Sequence, residues 1–194
     1  NVLCESPICL SEKQFEHIQM LSKEKDLLLM EGIKTAYSTA YSRLILLAKS
    51  GKIGDILSVD ATCTSMKYLD SDIENQWGSI CAWGPTALLP VFQILGISYS
   101  SKRIATKKCD NNFDGFTKID FIYSHATASI KVAKAAKSEG ELIITGTKGY
   151  IYVPAPWWKT DYFEVRYENS EDNQRYFYQL DGEGLRYEIA AFSR

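Results

Sequence analysis

WGSICAWGPTALLPVFQILG, residues Trp77 to Gly96, is the stretch on which the fold turns, because from Asn75 to Ser101 no side chain is charged although charged residues make up 24% of the chain. Such a run is expected inside the protein. Gly78, Ser79, Gly84, Pro85, Pro90 and Gln93 break it, and its unbroken apolar pieces fall far short of the ~20 residues that a membrane-spanning helix needs. The reading is a buried turn feeding a buried helix, with Gly84 as cap, Pro85 in the first helical position and Gly96 at the close. Pro90 then removes an intrahelical hydrogen bond, freeing backbone groups near Trp83 and Thr86. A helix start with spare donors among small residues can floor a binding cleft; an ordinary core helix is the plainer reading.

Upstream of this stretch, Val2 to Cys4 reads as a short buried strand ending in the turn Glu5-Ser6-Pro7, with Pro7 a candidate for a cis peptide. Ser11 and Gln14 form a capping box, Leu10 can staple onto Phe15, and the helix they start has the apolar face Phe15, Ile18 and Leu21. Leu27 to Met30 follows as a continuous apolar run of the kind buried on both faces in a parallel sheet. Strand, helix, strand is the last unit of a doubly wound sheet. Around Gly32 the pattern changes, and the domain boundary is placed there: residues 1–33 and residues 34–194. Ser38 or Thr39 caps a second helix with the stripe Tyr41, Leu44, Ile45 and Ala48.

From Ile56 the period becomes two, with Leu57, Val59, Ala61 and Cys63 on the inner side. Further strands are expected at 102–108, at 118–124 (Ile119, Phe121 and Tyr123 inward), at 127–133 (Ala128, Ile130 and Val132 inward) and at 141–145. Gly146-Thr147-Lys148-Gly149 reads as the hairpin turn into Tyr150 to Val153, its glycines explained by the turn. Pro154 to Trp158 is an aromatic corner, followed by tyrosine-rich strands at 162–167 and 175–180, an aromatic surface that suits an oligomer interface. Leu185 to Phe192 closes the chain as a helix with the stripe Leu185, Ile189 and Phe192.

Composition excludes several classes. The net charge of −2, with Lys and Arg scattered, leaves no footprint for nucleic acid or an anionic membrane. Five cysteines without a C-x-x-C suit reduced thiols in the cytoplasm, and no secretory leader is read. The chain opens without Met on an apolar strand and reads as a piece of a longer protein. His17 lies off the apolar face of its helix and His125 lies between strands, so no metal site is expected and neither histidine is paired with a nucleophile. Cys81 packs in the uncharged run, where a thiol is held neutral. Neither G-x-G-x-x-G nor a Walker loop occurs.

Glu5-Ser6-Pro7, Leu29-Met30-Glu31, Lys49-Ser50-Gly51, Ile53-Gly54-Asp55-Ile56, the uncharged core and Gly146 to Gly149 together resemble, in order and spacing, the Gfo/Idh/MocA oxidoreductases. The resemblance implies an α+β fold: a predominantly antiparallel, open-faced sheet with helices on one face, of the dihydrodipicolinate-reductase-like C-terminal type, preceded by the last βαβ remnant of a Rossmann domain. It further implies that NAD or NADP is bound by the parent protein and not by this piece alone. The cofactor side would be Glu5, Ser6, Pro7 and Glu31, and the substrate pocket Trp83, Thr86, Trp157 and Trp158. The implied substrate is a sugar or polyol, and the implied assembly a homodimer or tetramer through the sheet face.

The family's chemical positions are changed in this chain. Its E-K-P lysine is matched by Ser6, and in its G-x-x-x-D-x-G-x-H segment the aspartate is matched by Ala82 and the histidine by Thr86. The arginine and histidine that often follow the M-E pair are matched by Ala36 and Ser38. Lysine supplies charge and a proton, and histidine accepts one near neutral pH; serine and threonine do neither well. Lys34 or Lys67 are the possible substitutes. The reading is therefore a piece of an NAD(P)-dependent oxidoreductase, with a catalytically inactive ligand-binding, assembly or regulatory relative as the alternative. A free-standing interaction module built on the aromatic strands is the third.

Overall fold

The computed structural model describes residues 1–66, 77–109, 112 and 114–194. The chain begins with β1 (Val2–Glu5), α1 (Glu12–Glu24) and β2 (Leu29–Gly32), the two strands pairing in parallel. Ser11 caps α1 by accepting from Gln14 N at 3.3 Å, while Gln14 Oε1 accepts from Leu10 N. The expected burial of this unit does not hold. Helix α1 has no buried residue, and Phe15, Leu21, Leu27 and Leu28 are all exposed, since a sheet of two strands has no second layer to cover them.

A short helix α2 (Lys34–Tyr37), which the sequence reading did not anticipate, leads into α3 (Thr39–Lys49), whose Ala40, Tyr41, Leu44 and Ala48 are buried. There follow β3 (Ile56–Thr64), α4 (Ser79–Leu95), β4 (Ser101–Lys108), β5 (Asp114–Ile122), β6 (Thr127–Ala133), β7 (Leu142–Gly146), β8 (Tyr150–Val153), β9 (Tyr162–Arg166), β10 (Gln174–Phe177) and α5 (Leu185–Phe192). The larger sheet runs β10-β9-β8-β7-β3-β6-β5-β4, antiparallel throughout except for the parallel pair β3 and β6. Among the described residues no helix is long and apolar enough to cross a membrane.

Strand register fixes which face is covered. The row Val165, Ile151, Ile144, Val59, Ala128 and Phe121 crosses the sheet, and every member is buried; α4 packs on β3, β5 and β6, and α3 on β9. The next row, Arg175, Glu164, Tyr152, Ile143, Asp60, Ser129, Asp120 and Arg103, occupies the open face. Side chains alternate between the faces of a pleated strand, so the period-two reading located this core. Leu57 is the exception. It falls in the bulge between Ile56 and Ser58 and is exposed.

The uncharged run departs from its reading in one respect. Helix α4 starts at Ser79 with Gly78 as N-cap, so Pro85 and Pro90 both lie inside it. The cap comes from a distant strand: Ile80 N donates to Asp114 Oδ2 at 2.7 Å and Ser79 Oγ to the Asp114 carbonyl at 2.6 Å. Proline has no N–H, so the carbonyls of Cys81 and Thr86 lack their usual intrahelical donors.

The glycines of the β7–β8 turn also have another reason than the one read from sequence. Neither Gly146 nor Gly149 has positive φ. Gly146 instead lies against the backbone of Ile53, and Gly149 against the carbonyl of Arg166.

Candidate active-site cleft

The carboxyl ends of parallel strands are where ligands gather in α/β sheets. Here the ends of β1 and β2 meet the N-terminal half of α4 across a cleft of about 290 Å³. Glu5 and Ser6 come from β1 and its turn, Gly32 to Thr35 from β2 and α2, Ala82, Trp83 and Thr86 from α4, and Trp158, Lys159 and Glu183 from later loops. Ala82, Trp83 and Thr86 share one helix face because residues four apart are neighbours on a helix.

Hydrogen bonds fix the walls. Ser6 Oγ donates to Glu31 Oε1 at 2.8 Å, and Ile8 N donates to the same oxygen at 3.1 Å, which ties the cis Ser6–Pro7 turn to β2. Thr35 Oγ1 donates to the Trp158 carbonyl at 2.9 Å, joining α2 to the opposite wall. Trp83 Nε1 donates to Ser65 Oγ at 3.3 Å, and the Trp83 and Trp158 rings stand 4.9 Å apart. The cleft's cations are half-exposed. Lys34 Nζ lies 3.8 Å from Glu5 Oε1, and Lys159 Nζ lies 2.7 Å from Glu183 Oε1.

Of the residues singled out from sequence, the structure gathers Glu5, Ser6, Lys34, Ala82, Trp83, Thr86 and Trp158 into this cleft. Pro7 and Glu31 do not line it, though Glu31 accepts from the lining residue Ser6. Trp157 is not a lining residue. It is wholly buried in the core of a single chain, with Nε1 donating to the Thr62 carbonyl at 3.1 Å, so it is neither in the pocket nor available to an interface. Lys67 lies outside the described residues. Gly32, Lys159 and Glu183 were missed; the change of pattern at Gly32 was their only sequence signal, and it was read as a boundary.

Glu188 was missed as well. It was passed over because α5 was read by its stripe Leu185, Ile189 and Phe192, yet Leu185 and Ile189 are 45% and 48% exposed and Glu188 is 1% exposed. Its carboxyl fills the place of a Gly32 side chain: a Cβ on Gly32 would lie 2.9 Å from Glu188 Cδ and closer still to Oε1. Burial pushes the Glu188 carboxyl pKa up, the nearby Glu5 adds to this, and Lys34 opposes it. A raised folded-state pKa contributes stability that is complete below the unfolded carboxyl range and is lost as pH rises through the folded value. Glu188→Gln is therefore expected to flatten the stability–pH curve above the ordinary glutamate range and to leave the protein more stable at neutral pH. Urea denaturation across pH checks this; parallel curves for the two proteins would refute it.

An open eight-stranded, mostly antiparallel sheet with helices on one face is the fold of the C-terminal domain of the Gfo/Idh/MocA oxidoreductases. No family model matches the sequence. Trans-1,2-dihydrobenzene-1,2-diol dehydrogenase of Danio rerio is 24% identical over 163 residues, 81% of this chain and 49% of that protein. Among solved structures, KijD10, a 3-ketoreductase from Actinomadura kijaniata in complex with NADP and TDP-benzene, superposes with a TM-score of 0.83 at 16% identity, covering 100% of this chain and 62% of that one. Levoglucosan dehydrogenase in complex with NADH and levoglucosan gives 0.81 at 15%, covering 98% and 62%, and an NAD-binding oxidoreductase from Klebsiella pneumoniae 0.80 at 14%, covering 98% and 62%. The chain spans about half the length of its curated relative. At these identities the likeness is one of fold.

Proposed function

We propose that these residues are the substrate-shaping part of an NAD(P)-dependent oxidoreductase acting on a sugar, polyol or derivative. The supporting observation is the cleft at the carboxyl ends of β1 and β2, walled on its far side by the tryptophan pair Trp83 and Trp158. Aromatic faces opposite polar groups suit a ring bearing hydroxyls. On this reading residues 1–33 are the end of a dinucleotide-binding domain and residues 34–194 the substrate and assembly domain. The bare apolar surface of α1 supports that division, because further parallel strands would cover it. NAD(P) would supply or accept the hydride. Within these residues Glu5, Ser6 and the backbone of Gly32 would meet its reactive end, and no glycine-rich cradle for its phosphates occurs in the 194 residues.

Lys34 is the group placed to hold a proton for the substrate oxygen, standing in the cleft beside Glu5. In an active full-length protein Lys34→Ala should lower turnover about 10²-fold; unchanged turnover would remove Lys34 from the chemistry. The alternating charges of the open-face row, Arg175 and Glu164 at one side and Asp120 and Arg103 at the other, support a homodimer or tetramer through the sheet face, with Tyr162 and Phe177 stacked 5.5 Å apart beside them.

The test is a fluorescence titration of the full-length polypeptide with NADH and NADPH, with residues 1–194 run alongside. Binding by the full-length protein alone is the expected result. No binding at millimolar cofactor would rule the oxidoreductase out. A second reading, a catalytically silent ligand-binding relative, is favoured by Ser6, Ala82 and Thr86, none of which is a proton-transfer group at neutral pH. Cofactor binding without turnover on sugars, polyols or their phosphates would select it.

A further inference from the structure

Helix α5 buries the wrong residue for its own stability. Leu185 and Ile189 face outward while the Glu188 carboxyl is enclosed, and among the described residues Glu188 Oε2 has no hydrogen-bond partner. A buried polar atom left unmatched is costly, so a helix of eight residues gains nothing structural from it. The carboxyl is accommodated because position 32 is glycine. Gly32 ends β2 and forms cleft wall, and Gly184, the N-cap of α5, lies over the Lys34 side chain with room for little more than a methyl group. The charged and titratable groups around Glu188 are Glu5 on β1, Lys34 and Tyr37 on α2, and Glu31 on β2, which adjoins Tyr37. Of these, Glu5 and Lys34 also face the cleft.

We propose that the Glu188 carboxyl, enclosed behind the Gly32 wall, makes the binding of anionic ligands in the cleft proton-linked. The inference rests on the cleft being the ligand site. Lys34 favours ionised Glu188, whereas burial and Glu5 oppose ionisation. A phosphate or carboxylate in the cleft engages Lys34 and brings a further negative charge to the other side of the Gly32 wall, and both effects disfavour ionised Glu188. Glu188 then takes up one proton from solvent, forming an O–H bond on a carboxyl oxygen and leaving a neutral acid behind the wall. At higher pH Glu188 stays ionised, its charge opposes the anion across the wall, and the ligand's hold weakens.

Two measurements test this. The first follows the Glu188 side-chain carbon by NMR through a pH titration of residues 1–194. Lys34→Met should raise the Glu188 midpoint and Glu5→Gln should lower it, and a midpoint indifferent to both would overturn the coupling. Both substitutions are at partly exposed sites, so neither depends on Glu188 variants folding. The second is calorimetric titration of the full-length protein with sulfate, an anion that does not itself titrate near neutral pH, in two buffers of different ionisation enthalpy. Net proton uptake in the wild type that is absent in Glu188→Gln is expected; equal uptake in both would overturn the proposal. Failure of sulfate to bind would likewise overturn it, whereas failure of NADPH to bind in the fluorescence titration would strike the oxidoreductase reading and leave this proposal to the sulfate and NMR results.

Discussion

Replacing Trp157 by alanine should lower the unfolding free energy by about 3–5 kcal/mol, the usual range for deleting a large aromatic ring from a core. Trp157 is 0% exposed and stands between the Tyr41 ring, 6.2 Å away, and the Trp158 ring, 6.3 Å away. Its Nε1 bonds the Thr62 carbonyl in β3, and its own N–H donates to Gly140 O at 3.0 Å. Alanine would leave a cavity under the cleft wall and strip the Thr62 carbonyl of this donor. Trp157→Phe separates the two effects, since it keeps most of the packing and loses one hydrogen bond worth about 1 kcal/mol. Urea denaturation of both variants is the measurement, and a loss under 1 kcal/mol for the alanine variant would show that Trp157 is not a core residue. The alanine variant should also weaken ligand binding, because Trp158 rests edge-on against the ring removed.

Gly146→Ala is the second large effect, with an expected loss of about 3 kcal/mol. A Cβ there would stand 3.0 Å from the carbonyl carbon of Ile53 and nearer still to its oxygen. The neighbour is main chain, and it is held: Ile53 O already accepts from Lys148 N at 2.9 Å, while Thr147 N donates to Asp55 O at 3.0 Å. Neither side can yield without opening the join between the β7–β8 turn and the entry to β3. Gly51→Ala is the contrast. Nothing lies within 4 Å of its Cβ position, but its φ is +79°, so only the local strain of about 1 kcal/mol is expected. Equal losses for the two variants would mean that the Ile53 contact does not limit position 146.

These two glycines show where sequence reading stops. Gly51 ends a helix and is recognisable from local pattern, whereas the requirement at Gly146 comes from residues brought up from nearly a hundred positions away. The same division runs through the molecule. Ser11 and the inward residues Val59, Ala61, Ile130 and Phe121 follow from short-range chemistry and a period of two, and all were legible. The start of α4 was not, because its capping carboxylate, Asp114, belongs to a strand formed much later in the chain. In the cleft, residues of β1, α2 and α4 could be nominated from motifs. Glu188 could not, since a carboxylate in an amphipathic helix reads as solvent-facing until the glycine that admits it is known to be opposite.

The parallel pairing of β3 with β6 has a consequence for how the sheet assembles. Strands β7 to β10 form one meander and β4 to β6 another, each made of neighbours in sequence that can zip locally. Strand β3 is joined to neither by a hairpin, and it meets both only after long stretches of chain have been looped back. Closing such loops is slow compared with forming hairpins. Strand order in space thus sets an order in time: β3, although made early in the chain, is locked from both sides last.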